Sequence, residues 1–255
     1  MNHSSPRTVR LVAYNIFGFR RGSPSQLAAY LKSLMPIDIL CLNEVSIKDR
    51  NTTANKNPDF GNAVITRLPV KSASRIALNG GSSVLWRGDD IQIIRNGVLV
   101  DFDKFSVCCT HLDHMKEAER VKQVDGLIMQ LRERLCPETP HFIMGDFNEL
   151  SRRDYSDDEW QNLEKRHESF GWPLECDEVV NKLENGGYTD VLRKCGDLRR
   201  TAHTQEEKPL YRIDYAWASR AAIDRVKDGF VHCGENVDDL KSCSDHFAIV
   251  VDACL

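Results

Sequence analysis

The sequence predicts an α/β fold in which two β-sheets pack together with helices outside. Three observations carry that prediction. Many short segments alternate apolar and polar residues, or run continuously apolar, as strands do. Only a few segments carry a helical stripe, and those are strongly amphipathic. No repeat, low-complexity tract or domain-splitting linker interrupts the 255 residues. Sheets buried on one face and helices with one apolar stripe cover each other in layers. With 41% hydrophobic residues, the chain can build one large core. Residues 1–8 read as a loose tail and residues 9–255 as a single domain.

Val9 to Asn15 alternates as a core strand, and Ser23-Pro24 opens a helix, a cap followed by proline at the first helical position. Leu27, Tyr30, Leu31 and Leu34 form its stripe, and Pro36 stops it. Ile37 to Leu42 is a second buried strand ending at Asn43-Glu44, followed by a polar, Asn-rich loop to Phe60. Gly61–Thr66 and Val70–Ile76 read as strands joined at Leu68-Pro69, with shorter strands at Ile91–Ile94 and Val98–Asp101. Phe105 to His111 alternates, and a long helix is predicted from His114 to Leu135. The run His141-Phe142-Ile143-Met144 is a buried strand leading into Gly145-Asp146-Phe147-Asn148. Beyond it, Ser156-x-x-Glu159 is a capping box, and Cys176, Val179, Val180 and Leu183 make a helical face closed by Gly186-Gly187. The last strands are Tyr211–Ala218, Val226–Val231 and Phe247–Asp252.

The net charge of -4 argues against bulk electrostatic attraction to nucleic acid, so any such contact has to be local. Nine cysteines, an odd number with no Cys-x-x-Cys pair, point to a reducing compartment. The first residues have no apolar signal region and no stretch approaches transmembrane length, so no membrane partner is expected and the address is cytosolic or nuclear.

Strands repeatedly end in residues that are costly to bury: Asn15, Glu44, His111, Asp146 with Asn148, Asp214, and Ser244-Asp245-His246. Singly, each has a structural reading as a turn former, a solvated end or a core histidine. Converging, they would assemble oxygen ligands with two histidines. Such a donor set favours Mg²⁺ or Mn²⁺ over zinc.

These residues stand in a series of motifs: Ala13-Tyr14-Asn15-Ile16, Leu42-Asn43-Glu44-Val45, Gly61-Asn62-Ala63-Val64-Ile65-Thr66-Arg67, Thr110-His111-Leu112, Gly145-Asp146-Phe147-Asn148, Arg212-Ile213-Asp214-Tyr215 and Ser244-Asp245-His246. In identity and order the series resembles the endonuclease/exonuclease/phosphatase superfamily, with its deoxyribonuclease I-like fold. The resemblance implies a four-layer α/β sandwich, two mixed or antiparallel sheets flanked by helices, and divalent-metal hydrolysis of phosphate esters by in-line attack of water. By the same resemblance Glu44 would be the principal metal carboxylate, with Asn15 and Asp245 completing the coordination of Mg²⁺ or Mn²⁺. Asp146 would orient or deprotonate the attacking water, and Asn148 would hold it or a phosphate oxygen. His246, oriented by Asp214, would act as acid/base or donate to the phosphoryl oxygen, which His111 would contact as a second imidazole.

Two departures stand out. Only sixteen residues separate Glu44 from Gly61, where relatives carry a longer segment supplying a carboxylate partner for the residue matching His111; Asp49 is the candidate replacement. Asn43 stands where relatives usually have glutamine. For the substrate, the pairs Arg20-Arg21, Arg152-Arg153 and Arg199-Arg200 fall near motifs and could hold phosphates, against a reading as solvated charges. Trp160, Trp172 and Tyr188 are candidates for base stacking, with helical spacing placing Trp160 in packing. The expectation is a phosphodiesterase acting on nucleic acid or nucleotides. Phe147 disfavours the inositol-phosphate and tyrosyl-DNA branches, and the absence of an apolar membrane loop disfavours lipids. The alternatives are a phosphatase or phosphodiesterase on a small or lipid phosphate, a non-catalytic binding module, or a truncated isoform.

Overall fold

A computed structural model describes residues 7–19, 21, 23–47, 59–86, 89–203, 210–233 and 243–255. The predicted tail therefore lies almost wholly outside the described residues, as do Arg20 and Asp49. In chain order the first half comprises β1 (Thr8–Asn15), α1 (Pro24–Ser33), β2 (Ile39–Ile47), β3 (Asp59–Thr66), β4 (Ser72–Ala77), β5 (Ser83–Trp86), β6 (Asp89–Gln92), β7 (Asn96–Asp101) and β8 (Ser106–His111). The second half comprises α2 (Glu117–Arg134), β9 (His141–Asp146), α3 (Asp157–Phe170), α4 (Glu178–Asn185), β10 (Tyr188–Asp190), α5 (Val191–Cys195), β11 (Asp214–Ser219), α6 (Arg220–Ile223), β12 (Val226–His232) and β13 (Ala248–Cys254).

One sheet has the order β12-β13-β1-β2-β3 and a second β10-β11-β9-β8-β7-β4, with β5 and β6 forming a separate hairpin. Both large sheets are mixed, because β1–β2 and β8–β9 are parallel within otherwise antiparallel ladders. The alternation seen in the sequence sorts the two faces of the second sheet. Val107, Cys109, Phe142, Met144 and Ala216 join Leu11, Ala13 and Cys41 of the first sheet in the central core. Cys108, Ile143, Tyr215 and Trp217 turn the other way, onto Val124, Leu127 and Leu131 of α2 and Val179 and Leu183 of α4. Burying the three α2 residues contributes about 5–9 kcal/mol before the entropy of ordering them is subtracted. No helix among the described residues is long and apolar enough to cross a membrane.

Most predicted elements are present, with informative shifts. Ser23 and Ser156 each form the capping box, paired with Gln26 and Glu159. α2 starts at Glu117 and not at His114, because the Asp113 carboxylate accepts hydrogen bonds from Met115 N and Lys116 N and holds 113–116 in a turn. β11 starts at Asp214, since Tyr211 bridges to Ala202 and Arg212 is drawn between Asp154 and Asp190. The Leu68-Pro69 turn joins edge strands of different sheets, β3 and β4. β2 does not end at Glu44. It continues to Ile47, pairing Val45 with Gly61 and Ile47 with Asp59, so part of the expected loop is strand.

Candidate active site

Strand register places most of the polar residues side by side. In the second sheet Asp146 pairs with His111 on its parallel neighbour and with Asp214 on its antiparallel neighbour, so three side chains occupy one row. In the first sheet Asn15 pairs with Asn43. Between Leu42 and Val45 the β2–β3 register slips by one residue, and Glu44 occupies that bulge with φ 56°. A bulge re-aims a side chain that a regular strand would send elsewhere. Asn148 also has a positive φ, 50°, a conformation asparagine tolerates. Gly145 has φ 139°, and a Cβ there would lie 2.0 Å from Thr110 O, so only glycine lets β9 run this close to β8.

The two sheets meet in a hydrogen-bond network around Asp146. Asn15 Nδ2 donates to Asp146 Oδ2 at 2.9 Å and stands 3.4 Å from Glu44 Oε1, while Asn15 Oδ1 accepts from Phe17 N at 2.9 Å. Asn43 Oδ1 accepts the Asp146 amide, and Asn43 Nδ2 donates to Thr110 O and to Asn62 Oδ1. Asn148 N donates to Asp146 Oδ1 at 2.9 Å. His246 Nδ1 lies 2.8 Å from Asp214 Oδ2, while His246 Nε2 lies 3.7 Å from Asp146 Oδ2 and 4.0 Å from Asp245 Oδ1. Ser244 Oγ accepts from His246 N and donates to Asn15 O at 2.6 Å, tying this segment to β1. His111 Nε2 is 3.6 Å from Asp146 Oδ2.

Burial raises the pKa of the Asp146 carboxyl, with Asp214 adding to the shift; His246 and the amides of Asn15 and Asn148 only partly offset it. Burial lowers the His246 pKa, but Asp214 and Asp146 outweigh it and favour the imidazolium. His111 goes the other way: burial, Arg95, His246 and His114 all hold it neutral. The two imidazoles therefore differ in charge.

Ligand-capable atoms of Asp146, Asp214 and His246 lie within 4.8 Å of one another. The hydrogen bond between His246 and Asp214 commits two of those atoms to each other. Outside that group, the carboxylates of Glu44, 3.4 Å from Asn15 Nδ2, and Asp245, 4.0 Å from His246 Nε2, are oxygen donors of the kind a hard divalent cation takes. As oriented, Asn15 turns nitrogen and not oxygen toward Glu44 and Asp146.

The described members of the predicted phosphate-binding arginines each have a partner, while Arg20 lies outside the described residues. Arg21 stacks over Phe17 at 5.6 Å; Arg152 pairs with Asp157 and lies over Trp160; Arg153 pairs with Glu184 at 2.9 Å. Arg199 and Arg200 pair with Asp197 and Glu159. Tyr188 is buried with its hydroxyl on His141 Nε2, which removes it as a stacking platform, and Trp160 is core as expected. Trp172 is half exposed and stacks on Phe170. Sequence reasoning missed Arg95, whose guanidinium meets His111 Nδ1 at 3.1 Å and His114 Nδ1 at 3.2 Å. It lies between two strands and carried no local signal. Asn43 was visible beside Glu44, but its role in holding Asp146 was not.

The row of Asp146, His111 and Asp214, with Glu44 facing it from the other sheet, is a cluster of carboxylates and imidazoles between two sheets. The chain belongs to the Endonuclease/Exonuclease/phosphatase family, whose model matches residues 12–246. Members of that family are hydrolases acting on phosphoesters. Among solved structures, a 3'-5' exonuclease from Neisseria meningitidis matches with TM-score 0.68 at 18% identity, covering 97% of this chain and 100% of the other. An AP endonuclease from Archaeoglobus fulgidus matches with TM-score 0.67 at 15% identity, covering 97% and 100%. A mannosyl-6-phosphatase from Bacteroides thetaiotaomicron matches with TM-score 0.60 at 16% identity, covering 95% and 98%. At these identities the likeness shows the fold. No curated protein sequence matches the chain.

Proposed function

We propose that this protein is a divalent-cation-dependent phosphoric ester hydrolase acting as a phosphodiesterase on nucleic acid or nucleotides, with water attacking phosphorus in line. The observation that carries the reading is the convergence on Asp146 of two imidazole Nε2 atoms, at 3.6 and 3.7 Å, next to the bulged Glu44 carboxylate. Glu44 and Asp245 would hold Mg²⁺ or Mn²⁺, with Asn15 completing the set if its amide turns over. A bound divalent cation would supply Lewis-acid stabilisation of phosphoryl and leaving oxygens. Asp146, steadied by Asn15 Nδ2 and Asn148 N, would take a proton from water at Oδ2. Asn148 would hold that water or a phosphate oxygen. His246, with Asp214 on Nδ1, presents Nε2–H to the charge that grows on the phosphoryl oxygens, and His111 donates from the opposite side.

The structural neighbours include proteins acting on DNA and on a sugar phosphate, so the substrate is the point to test. The experiment is a panel of single- and double-stranded DNA, RNA, bis-p-nitrophenyl phosphate and small phosphomonoesters, with Mg²⁺, Mn²⁺ or EDTA. Cleavage of the diesters that EDTA abolishes is expected. A wild type inert on the whole panel, or full activity in Asp146→Ala, overturns the reading.

A further inference from the structure

We propose that Arg95 is a positioning residue that locks His111 in the Nε2–H tautomer and so makes it a fixed, neutral hydrogen-bond donor to the reacting phosphate. Arg95 Nη1 lies 3.1 Å from His111 Nδ1, and Arg95 Nη2 lies 3.2 Å from His114 Nδ1. A guanidinium has five donors and no acceptor, so both imidazole Nδ1 atoms have to accept. A neutral imidazole that accepts at Nδ1 carries its proton on Nε2. For His111 that Nε2–H lies 3.6 Å from Asp146 Oδ2, on the side where Asp146 and His246 face the substrate space.

This wiring is the reverse of the one at His246. There a carboxylate, Asp214, stands behind the ring at Nδ1 and stabilises the imidazolium. Behind His111 the family resemblance implies a carboxylate, whereas among the described residues a cation, Arg95, stands at Nδ1. Arg95 is held for the task by the segment between β6 and β7. The next residue, Asn96, starts β7 and accepts from Asn62 Nδ2 at 2.6 Å, and Asn62 in turn accepts from Asn43 Nδ2 beside the site. The guanidinium thus belongs to the same hydrogen-bonded frame as the Asp146 backbone. His114 serves as the second anchor, using the other terminal nitrogen and fixing the plane of the guanidinium.

The effect on turnover rests on the proposed hydrolysis, whereas the tautomer does not, and the experiment separates the two. With ¹⁵N-histidine-labelled, cation-free protein at pH 7.5, two-bond ¹⁵N–¹H correlation spectra show which ring nitrogen carries the proton, and His111→Gln assigns the signals. His111 in the wild type is expected as Nε2–H, and in Arg95→Met as a mixture of both tautomers. Arg95→Lys, with a single donor group unable to span both rings, restores the pattern at one histidine at most and serves if Arg95→Met does not fold. In parallel, kcat on bis-p-nitrophenyl phosphate should fall about 10- to 100-fold in Arg95→Met with a smaller change in KM, the scale of losing the partner behind a working imidazole. An Nδ1–H signal for wild-type His111, or an unchanged Nε2–H pattern in a folded Arg95→Met, overturns the proposal whatever the activity. Inactivity of the wild type with the expected tautomers overturns only the hydrolase reading.

Discussion

His111 ends β8 and His246 lies just before β13, more than a hundred residues apart, yet each turns Nε2 toward the same Asp146 oxygen, at 3.6 and 3.7 Å. One ring is held neutral beside Arg95 and the other cationic beside Asp214. In the proposed hydrolysis an attacking water and a charged phosphoryl group need both an acceptor and donors around one point, which this pair with Asp146 would supply.

The Asp214–His246 pair yields the first prediction. Asp214→Asn keeps the shape but removes the anion behind Nδ1. It and His246→Ala are expected to lower kcat by about 10²–10⁴-fold with an unaltered far-UV spectrum. Steady-state kinetics on bis-p-nitrophenyl phosphate check this, and near-wild-type turnover in Asp214→Asn would show that the carboxylate has no part in the reaction.

Cation binding is testable without turnover. A ligand that binds only the folded state stabilises by about 2.7 kcal/mol when present at a hundred times its Kd. Mg²⁺ or Mn²⁺ should raise the melting temperature of the wild type, EDTA should reverse the gain, and Glu44→Gln should abolish it. An equal cation-induced shift in Glu44→Gln would move the site away from the β2 bulge.

Asp113 provides a pH signature away from the reacting atoms. Burial works to raise its pKa, but hydrogen bonds from the backbone of Ser82, Met115 and Lys116 and from the Ser82 hydroxyl together outweigh it and lower the pKa. The folded state therefore favours the carboxylate. This stability is present above the unfolded pKa, about 3.9, and is lost as pH falls through the lower folded value. Asp113→Asn should cost about 1–3 kcal/mol at pH 6, and the gap to wild type should shrink by pH 3. Thermal melts at the two pH values would contradict this if the gap stayed constant.

Arg212 is buried beneath the site strand, with Nη2 bidentate on Asp190 at 2.7 and 2.8 Å and Nη1 on Asp154 at 2.8 Å. Removing the cation strips Asp190 of its side-chain partner, leaving it the Arg193 amide, and leaves Asp154 paired with the half-buried Arg193 alone. Arg212→Met should lose about 3–5 kcal/mol in urea unfolding. A loss below 1 kcal/mol, roughly that of an exposed pair, would mean the triad is not holding β11 in place.

Gly145→Ala is expected to cost at least about 3 kcal/mol, because the residue combines positive φ with a backbone carbonyl where Cβ would sit. Loss of the folded state, or a melting temperature far below wild type, is the expected readout; a neutral substitution would mean that β8 and β9 can separate.

Much of this was legible in the residues themselves. The alternation of Phe142, Ile143 and Met144 placed β9 between two cores, and the polar strand ends marked Asp146, His111 and Asp214 before their register was visible. What stayed hidden depended on tertiary contacts. The Glu44 bulge arises from pairing with β3, so a local pattern read it as a strand end. Arg95 reaches its histidines from an irregular segment, and both rings lie at and just beyond the end of β8, sixteen or more residues along the chain. The ion pairs that Arg152, Arg153, Arg199 and Arg200 make with Asp157, Glu184, Asp197 and Glu159 could not be seen from the chain alone.

The hydrogen bond from Asn15 to Asp146 joins the first polar strand end to a strand more than a hundred residues later, and His246 closes the site later still. A length of chain that stops short of residue 246 lacks both His246 and β13, the neighbour of β1. On the proposed function, turnover would therefore begin only once β13 and the His246 segment have joined β1. The same dependence makes turnover a reporter of the complete fold, because separating the two sheets dismantles the centre before either sheet has to unravel.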